Sequence, residues 1–261
     1  MPRLPSDPEQ VRMSFAEHLE ELRTRLVRGL LAIGVLFVVC FALGGFVRAV
    51  FQHPWESMRA RLAADGIEVA ALGASSATSG IFFSVKTALI VALLFGLPYL
   101  LYQLWAFVAA GLYPHERKVV IRFLPAGLGL GVLGVLFGYF FMIPMVLEFL
   151  IRLNRQAGLV DLYTIDEYFS FFLLLTIALA VVFQLPLILM GLGAAGLVTA
   201  PTLRRYRRHF ILGAFVLGAF LTPPDPVSQI LMAVPSIFLY EVGILLVAWK
   251  GKTPGRGEGG E

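Results

Sequence analysis

Long apolar runs separated by short polar segments dominate the amino-acid sequence. A helix needs about 20 apolar residues to cross the roughly 30 Å hydrocarbon core of a lipid bilayer. By that measure we predict an all-α integral membrane protein with six transmembrane helices. Their predicted bounds are Val27–Phe46, Thr87–Leu112, Leu124–Leu150, Tyr168–Met190, Phe210–Leu221 and Ile230–Trp249.

The fifth predicted helix is unusually short. At a rise of 1.5 Å per residue, Phe210–Leu221 would cover only about 18 Å. Either the helix extends into the arginine-rich segment before it and into Thr222, or the bilayer thins around it. Two connections on one side also differ in length. Phe51–Gly80 is predicted to be a long loop, whereas Leu221–Val227 (LTPPDPV) is predicted to be a tight proline-rich turn.

The composition agrees with a membrane protein. Of the 261 residues, 58% are hydrophobic and 15% are charged, whereas soluble domains have about half and a quarter. The first 25 residues are too polar and acidic for a secretory signal peptide, so we expect this segment to be retained. We predict a single membrane domain over residues 1–250 and a disordered cytoplasmic tail over 251–261, which is rich in glycine and charge.

Positive charge is distributed unequally between the two sides of the membrane. An even number of spans puts both termini on one side, and that side carries 15 of the 21 lysines and arginines. Because short segments rich in Lys and Arg stay in the cytoplasm, both termini are predicted to be cytoplasmic. The opposite side carries the other 6: Arg48, Arg59, Arg61, Lys86, Arg152 and Arg155.

The sequence has none of the common short motifs for catalysis or cofactor binding. It lacks GxxxxGK[ST], HExxH and CxxC, and Ser170 and Ser228 have no His or Lys one or two turns away that would activate them. We therefore expect no enzymatic activity, no cofactor or metal, and no nucleic-acid partner. The glycines of the third span follow no strand, so they indicate close helix packing instead of a phosphate loop: Gly127, Gly129, Gly131 and Gly134.

A solute transporter or channel is an alternative function. Such a protein should place polar groups near the midplane of several spans, and only Gln184 and Glu241 are obvious candidates. The sequence also shows no paired internal repeat, on which many secondary transporters are built. Both features disfavour this class.

The segment Phe15–Gly29 (FAEHLEELRTRLVRG) places acidic and basic residues directly before the first apolar run. Its apolar residues recur every three or four positions, which predicts an interfacial helix at about residues 14–25. Glu17, Glu21 and Arg25 follow one another at i, i+4, where an exposed Glu–Arg pair stabilises a helix by about 0.3–0.5 kcal/mol. Two interpretations stay open: the carboxylates pair locally, or some of them bind a cationic partner.

A second acidic residue, Glu116, lies on the same predicted side of the membrane. It sits between His115 and Arg117 in the sequence GLYPHERKVVIR. Local pairing in a solvated loop is again one interpretation. The other is that Glu21 and Glu116 form a site for two guanidinium groups, because a carboxylate can accept two bonds from the arginine fork, which lysine lacks.

Several longer motifs resemble those of the TatC family, the multispan receptor subunits of twin-arginine protein translocases. The resemblance covers about Ser14–Ala248 in the expected order. The motifs are HLEELRTRL at His18–Leu26, YQLWAFVAAGLYPHERK at Tyr102–Lys118, GYFFMIP at Gly138–Pro144, FQLP at Phe183–Pro186, LTPPDPVSQ at Leu221–Gln229 and YEVGILL at Tyr240–Leu246.

The resemblance implies a fold and a function. The family fold is a concave bundle of six transmembrane helices, in which spans five and six are short. The implied function is the receptor core of the translocase, which binds twin-arginine signal peptides of folded proteins. With single-span partners of the TatA and TatB type, it mediates their transport across the cytoplasmic (inner) membrane, driven by the proton motive force. We also expect the chain to associate with copies of itself.

The resemblance also assigns roles to single residues. The family's recognition carboxylates fall on Glu21 and Glu116. Glu21 is expected to face the incoming arginine pair, while Glu17 and Arg25 support the helix. Further signal-peptide-binding positions are Arg23, Phe107 and Tyr113. The positions with an expected role in transport or partner binding are Gln184, Pro54, Asp225 and Glu241.

The last four positions each have structural alternatives. Pro54 could terminate a loop, and Asp225 could be a turn or N-cap residue. Gln184 stands where the family commonly has a glutamate. It can bond a partner helix, or another helix of this chain beside Pro186, without burying a charge. Glu241 is expected to face the bundle interior or to lie near the cytoplasmic edge.

Overall fold

The structure, a computed structural model, describes residues 15–74, 78–111, 114–159, 163–221 and 225–251, except for the side chains of residues 15, 114–117, 119, 120, 250 and 251. Within these ranges the chain is helical, and the only β-type pairing is an isolated bridge between Gly73 and Thr164. The helices are α1 (Phe15–Ala42), α2 (Gly44–Ala64), α3 (Ser79–Ala110), α4 (Pro114–Phe137), α5 (Ile143–Gln156), α6 (Ile165–Val182), α7 (Leu185–Ala194), α8 (Ala200–Leu221) and α9 (Pro226–Gly251).

In the described part of the chain, five stretches are long and apolar enough to cross a bilayer: Ala16–Ala42, Ser79–Ala110, Ile121–Gln156, Ile165–Ala194 and Pro226–Trp249. They correspond to the first four predicted spans and to the sixth. The fifth predicted span, Phe210–Leu221, is the second half of α8, whose first half is rich in arginine. Of the two alternatives for this short span, extension into the arginine-rich segment is the one that α8 shows, while Thr222 lies outside the described residues. The count of six spans stays a prediction.

The predicted interfacial helix and most of the first predicted span, Val27–Phe46, form one continuous helix, whereas the last residues of that span begin α2. α1 is unbroken over its 28 residues. It packs mainly against α3, and Leu30, Leu31 and Val35 are 63–66% exposed. In a membrane this surface meets lipid chains that are as apolar as the side chains, so the exposure carries no penalty.

The prediction of a loop over Phe51–Gly80 is wrong for its first part, because α2 continues to Ala64. The period of the buried α2 side chains is helical, and this pattern was obscured by the polar residues between them and by a proline inside the helix. These buried side chains are Val47, Phe51, Pro54, Trp55, Met58 and Leu62. Burial of this stripe against the bundle holds the segment in a helix.

The main hydrophobic core lies where α2 packs against α3, α5 and α6. Phe51, Trp55, Tyr168 and Phe172 are each at most 2% exposed. The ring centroids of Phe51 and Tyr168 are 4.9 Å apart in an edge-to-face arrangement, which favours aromatic pairs. A separate core joins α7, α8 and α9, so α9 packs against both α7 and α8.

Two of the apolar rods are interrupted. A π-helical turn, Gly138–Met142, joins α4 to α5. α6 and α7 are separated at Phe183 and Gln184, with Pro186 in the first turn of α7. Proline has no N–H to donate and its ring clashes with the carbonyl four residues earlier, so Pro186 favours an interruption of the helix at this point. The break places Gln184 at the N-cap of α7, beside α4.

Candidate functional site

Glu21 lies in the second turn of α1 and is ion-paired with Arg25 one turn later. The guanidinium of Arg25 contacts Oε1 of Glu21 through Nε at 2.6 Å and through Nη2 at 2.5 Å. The side chains of Glu21 and Arg25 are only 26% and 19% exposed. Among the described residues, no bond reaches Oε2 of Glu21. The local-pairing interpretation therefore describes the contacts that this carboxylate makes within the described chain.

Arg25 also connects α1 to α3. Its Nη1 donates to Oε1 of Gln103 at 3.1 Å, and Nε2 of Gln103 donates to the hydroxyl oxygen of Tyr99 at 2.6 Å. Gln103 is 7% exposed, so these bonds satisfy a buried amide inside an apolar helix. A chain of polar groups thus leads from Glu21 into α3.

A groove with a cavity of about 170 Å³ lies beside this polar chain, between the first half of α1 and the last part of α3. Gly29 allows the close approach of the two helices, because a Cβ there would lie 3.1 Å from Cδ2 of Leu100. The polar groups in the walls come from Arg25 and Gln103. The other wall residues are Leu22, Leu26, Gly29, Leu30, Leu100, Leu104 and Phe107.

Phe107 lies at the same end of the bundle as Glu21. Its ring stacks on His18 of α1, with ring centroids 4.3 Å apart and planes inclined by 17°. A Cβ on Gly111 would lie 3.0 Å from Cε1 of His18, so the start of α1 sits tightly against the end of α3. Arg23 is exposed on α1. The structure therefore places Glu21 and Phe107 at the same end of the bundle, whereas Arg23, two residues after Glu21, lies on a different side of α1.

The second predicted carboxylate is located only through its backbone. α4 begins at Pro114, so Glu116 belongs to its first turn. Since α3 ends at Ala110, this turn lies at the same end of the bundle as Phe107. The side chain of Glu116 and the whole of Tyr113 lie outside the described residues.

Gln184 is 4% exposed and bonded within the chain. Its Oε1 accepts from the indole N–H of Trp105 at 3.0 Å, and its Nε2 donates to the carbonyl of Gly127 at 3.1 Å. The structure thus shows the alternative of a helix–helix bond beside Pro186. A role toward a partner helix stays a prediction.

The predicted close packing of the third-span glycines is confirmed for several of them. A Cβ on Gly131 would lie 2.2 Å from Cδ1 of Leu101, and one on Gly134 would lie 2.7 Å from Cγ of Phe183. Gly129 has no neighbour within 4 Å of such a Cβ. The tight positions therefore lie on the face of α4 that meets α3 and the α6–α7 break.

Pro54 is buried inside α2, so the loop-terminator alternative is wrong. Because proline has no N–H, it cannot donate to the carbonyl of Val50 four residues earlier. The hydroxyl of Tyr139 donates to that carbonyl at 2.6 Å. The hydroxyl of Tyr168 donates to the next carbonyl, that of Phe51, at 3.0 Å. Two tyrosines from neighbouring elements thus satisfy the backbone around the proline.

Asp225 caps the start of α9. Its Oδ1 accepts from the backbone N–H of Ser228 at 2.7 Å, which is the bond from the N-cap to the third helical residue. The residue is 8% exposed. The N-cap alternative is thereby confirmed, and a role in transport stays a prediction.

Glu241 is paired with Arg207 of α8. Oε2 accepts from Nη2 at 2.8 Å and Oε1 lies 2.6 Å from Nε, so the guanidinium meets the carboxylate through two nitrogens. The two side chains are 36% and 47% exposed, which places the pair at the surface of the bundle. Next to it, the hydroxyl of Tyr240 donates to the carbonyl of Leu203 at 2.9 Å.

The structure also reveals site residues that the sequence analysis missed, chiefly Gln103 and Tyr99. Their signal was two residues with polar groups one helical turn apart in the mostly apolar second half of α3. Within the described ranges, no group of three or more His, Cys, Asp and Glu is placed to hold a metal ion. The arrangement around Glu21 is suited to binding a cation through a carboxylate, with apolar surface alongside.

Comparison with known proteins places the chain in a family. The family model described as "Sec-independent protein translocase protein (TatC)" matches residues 17–235. The chain is 35% identical over 234 residues to the Sec-independent protein translocase protein TatCy of Bacillus subtilis, covering 90% of this chain and 88% of that one. It is also 35% identical over 235 residues to the TatC protein of Aquifex aeolicus, covering 90% and 94%.

A solved structure agrees with the sequence matches. The structure described as "Crystal Structure of Twin Arginine Translocase Receptor- TatC" has a TM-score of 0.71 and 34% identity, and the match covers 88% of this chain and 97% of that one. Fold and sequence thus agree over the same large part of the chain. The chain belongs to the TatC family of Sec-independent protein translocase proteins.

Proposed function

We propose that this chain is the receptor core of a twin-arginine translocase and binds the twin-arginine signal peptides of folded proteins. With single-span partners of the TatA and TatB type, it mediates transport of these proteins, driven by the proton motive force and without catalysing a reaction itself. Family membership supports this proposal, and the similar crystal structure is described as that of a twin-arginine translocase receptor.

The observation that carries the proposal is the arrangement around Glu21. This carboxylate, beside an apolar groove, already accepts a guanidinium through two nitrogens. An arginine of a bound peptide can use the same geometry, whereas a lysine ammonium is a point charge without the planar fork. The groove between α1 and α3 offers apolar surface to the rest of the peptide.

A second arginine needs a second acceptor, and we assign this role to Glu116. Its backbone lies in the first turn of α4, at the end of the bundle where α1 begins and α3 ends. Arg23, Phe107 and Tyr113 complete the proposed binding surface. A carboxylate in the first turn of a helix is favoured by the helix dipole, so the site can hold negative charge at this position.

We place the protein in the cytoplasmic membrane with the Glu21 end of the bundle in the cytoplasm. This orientation follows from the excess of Lys and Arg on that side. A signal peptide on a newly folded protein then reaches Glu21 directly from the compartment of synthesis. The transporter alternative gains no support, because Gln184 and Glu241 are both bonded within the chain.

Binding of synthetic peptides to the purified full-length chain in detergent tests this function. We expect a twin-arginine signal peptide to bind more tightly than its twin-lysine version. Glu21→Gln should weaken twin-arginine binding about tenfold or more, since a hydrogen bond to a charged group contributes about 1.5–3 kcal/mol. Fluorescence anisotropy gives the dissociation constants, and Glu116→Gln is measured in parallel.

Glu20→Gln is the matched control for this measurement. Glu20 is the neighbouring residue on α1, is exposed, and carries the same charge at the same membrane edge. Its substitution should leave the peptide affinity nearly unchanged. Equal losses in the Glu20 and Glu21 variants would show a diffuse charge effect, and equal binding of the two peptides would contradict the receptor function.

A further inference from the structure

Arg25, the partner of Glu21 within the chain, has the same side chain as the peptide arginine that is proposed to bind Glu21. This peptide arginine is called the guest arginine below. Arg25 binds the carboxylate with Nε and Nη2, both on Oε1. An arginine from a signal peptide would seek the same acceptor with the same fork. A single carboxylate cannot give two forks its best two-bond geometry at once, so the two guanidinium groups compete.

Arg25 also has a second acceptor, which lets it give up Glu21 without losing all its bonds. Its Nη1 already donates to Gln103, and the amide of Gln103 is held in place by Tyr99. Gln103 is buried, lies on α3 and accepts from Nη1, whereas Glu21 is bound by Nε and Nη2. When Glu21 changes partner, Arg25 stays anchored on α3 instead of becoming a free charge at the membrane edge.

We propose that Arg25 is an internal competitor for the carboxylate of Glu21, and that Gln103 is the acceptor that retains Arg25 when a guest arginine displaces it. This inference rests on the proposed function, because it assumes that Glu21 binds the signal peptide. It assigns to Arg25 a role in setting the affinity of the site, which differs from simple support of the helix.

The competition has a defined effect on affinity. When only a fraction of the sites is free to bind, the apparent affinity for any guest falls by that fraction. The factor belongs to the Glu21–Arg25 pair and is therefore the same for a twin-arginine and a twin-lysine peptide. Arg25 therefore leaves the preference for arginine unchanged. It raises the apparent dissociation constant of every cationic ligand, so that weak ligands need a higher concentration to occupy the site.

Peptide binding to variants of Arg25 tests this proposal. Arg25→Gln should raise the affinity for both peptides by the same factor of about two- to fivefold, the range that partly exposed ion pairs give. Arg28→Gln is the matched control, because Arg28 is exposed on α1 one turn further on. It removes the same charge near the site without touching Glu21, and should change the affinity less.

A double-mutant cycle tests the role of Gln103. Gln103→Leu removes the second acceptor, so Arg25 holds Glu21 more firmly and the affinity for the twin-arginine peptide should fall. In the Arg25→Gln background the same Gln103→Leu substitution should have little effect, because the group it acts through is gone. Thermal unfolding of each variant checks that the fold is intact.

Several outcomes would overturn the competitor role. One is a loss of affinity in Arg25→Gln, which would make Arg25 a positioning group for Glu21. Another is an equal gain in Arg25→Gln and Arg28→Gln, which would reduce the effect to general electrostatics. A third is a change in peptide affinity on Gln103→Leu that is the same in the wild-type and the Arg25→Gln backgrounds. Failure of the proposed function looks different, because the wild type itself would then show no preference for arginine and no response to Glu21→Gln.

Discussion

Two buried glutamines of this bundle are hydrogen-bonded by groups of the same chain. Gln184 bonds Trp105 and Gly127, and Gln103 bonds Arg25 and Tyr99. Water is absent from the hydrocarbon core, so an unsatisfied polar group there is costly. At the residue scale, each of these bonds ties one helix to another. The bundle is therefore held by apolar packing together with a few polar bonds at defined places.

The bond between Tyr139 and the carbonyl of Val50 gives a prediction at this scale. Tyr139→Phe removes the donor but keeps the ring, so the carbonyl left free by Pro54 loses its partner. We expect a loss of stability of about 1 kcal/mol, near the low end for an unsatisfied buried group because membrane hydrogen bonds are modest. Thermal unfolding in detergent measures the change.

Tyr206→Phe is the control for the tyrosine substitution. Tyr206 is 54% exposed on α8, so loss of its hydroxyl should leave stability nearly unchanged. An equal effect in both variants would mean that the Tyr139 hydroxyl contributes nothing specific to the proline-containing helix.

At the scale of elements, α4 has a central position because it packs against α3, α6 and α7. Its glycines allow those contacts, and a bulkier residue would separate the helices. The break between α6 and α7 fits the same contact, since it places Gln184 against the Gly127 carbonyl. Small residues and a proline break thus act together to bring three helices close to one another.

A comparison of two glycines of α4 tests this packing. In Gly131→Ala the new methyl group would lie 2.2 Å from Leu101 and 2.8 Å from Gln184. We expect a loss of about 1–3 kcal/mol, as for other overpacked positions. Gly129→Ala meets nothing within 4 Å, and alanine favours the helix by up to about 1 kcal/mol over glycine. Unfolding measurements should therefore move in opposite directions, and a similar shift in both would contradict the packing argument.

At the scale of the whole molecule, the long apolar helices were predicted well from the sequence, whereas the amphipathic helix α2 was predicted poorly. Length and hydropathy identify a membrane span directly, and five of the predicted spans are present as helices in the described chain. α2 was missed because its apolar stripe becomes visible only when the helical period is read through Pro54. Periodicity alone does not show that neighbouring tyrosines will satisfy the backbone around a proline.

The candidate site shows the same limit. Motif resemblance located Glu21 and Phe107, and the structure places them at one end of the bundle. It did not reveal that Arg25 bridges Glu21 to Gln103, because Gln103 lies 78 positions after Arg25 in the sequence. Local spacing predicted the pair within α1, whereas the contact with α3 depends on how the two helices pack.

The orientation of the whole bundle gives the last prediction, and the receptor function depends on it. Cys40 is the single cysteine, so Cys40→Ala gives a background without thiols and should not react with a membrane-impermeant maleimide. Single cysteines are then introduced at two exposed positions, Glu20 at the start of α1 and Ala64 at the end of α2.

In intact cells, Ala64→Cys should react from outside, whereas Glu20→Cys should react only after the membrane is opened. This pattern would place Glu21 on the cytoplasmic side, where the excess of Lys and Arg predicts it. The reverse pattern would put the carboxylate on the far side of the membrane. A signal peptide arriving from the cytoplasm could not then reach Glu21, and the proposed site would be wrong even if the family assignment holds.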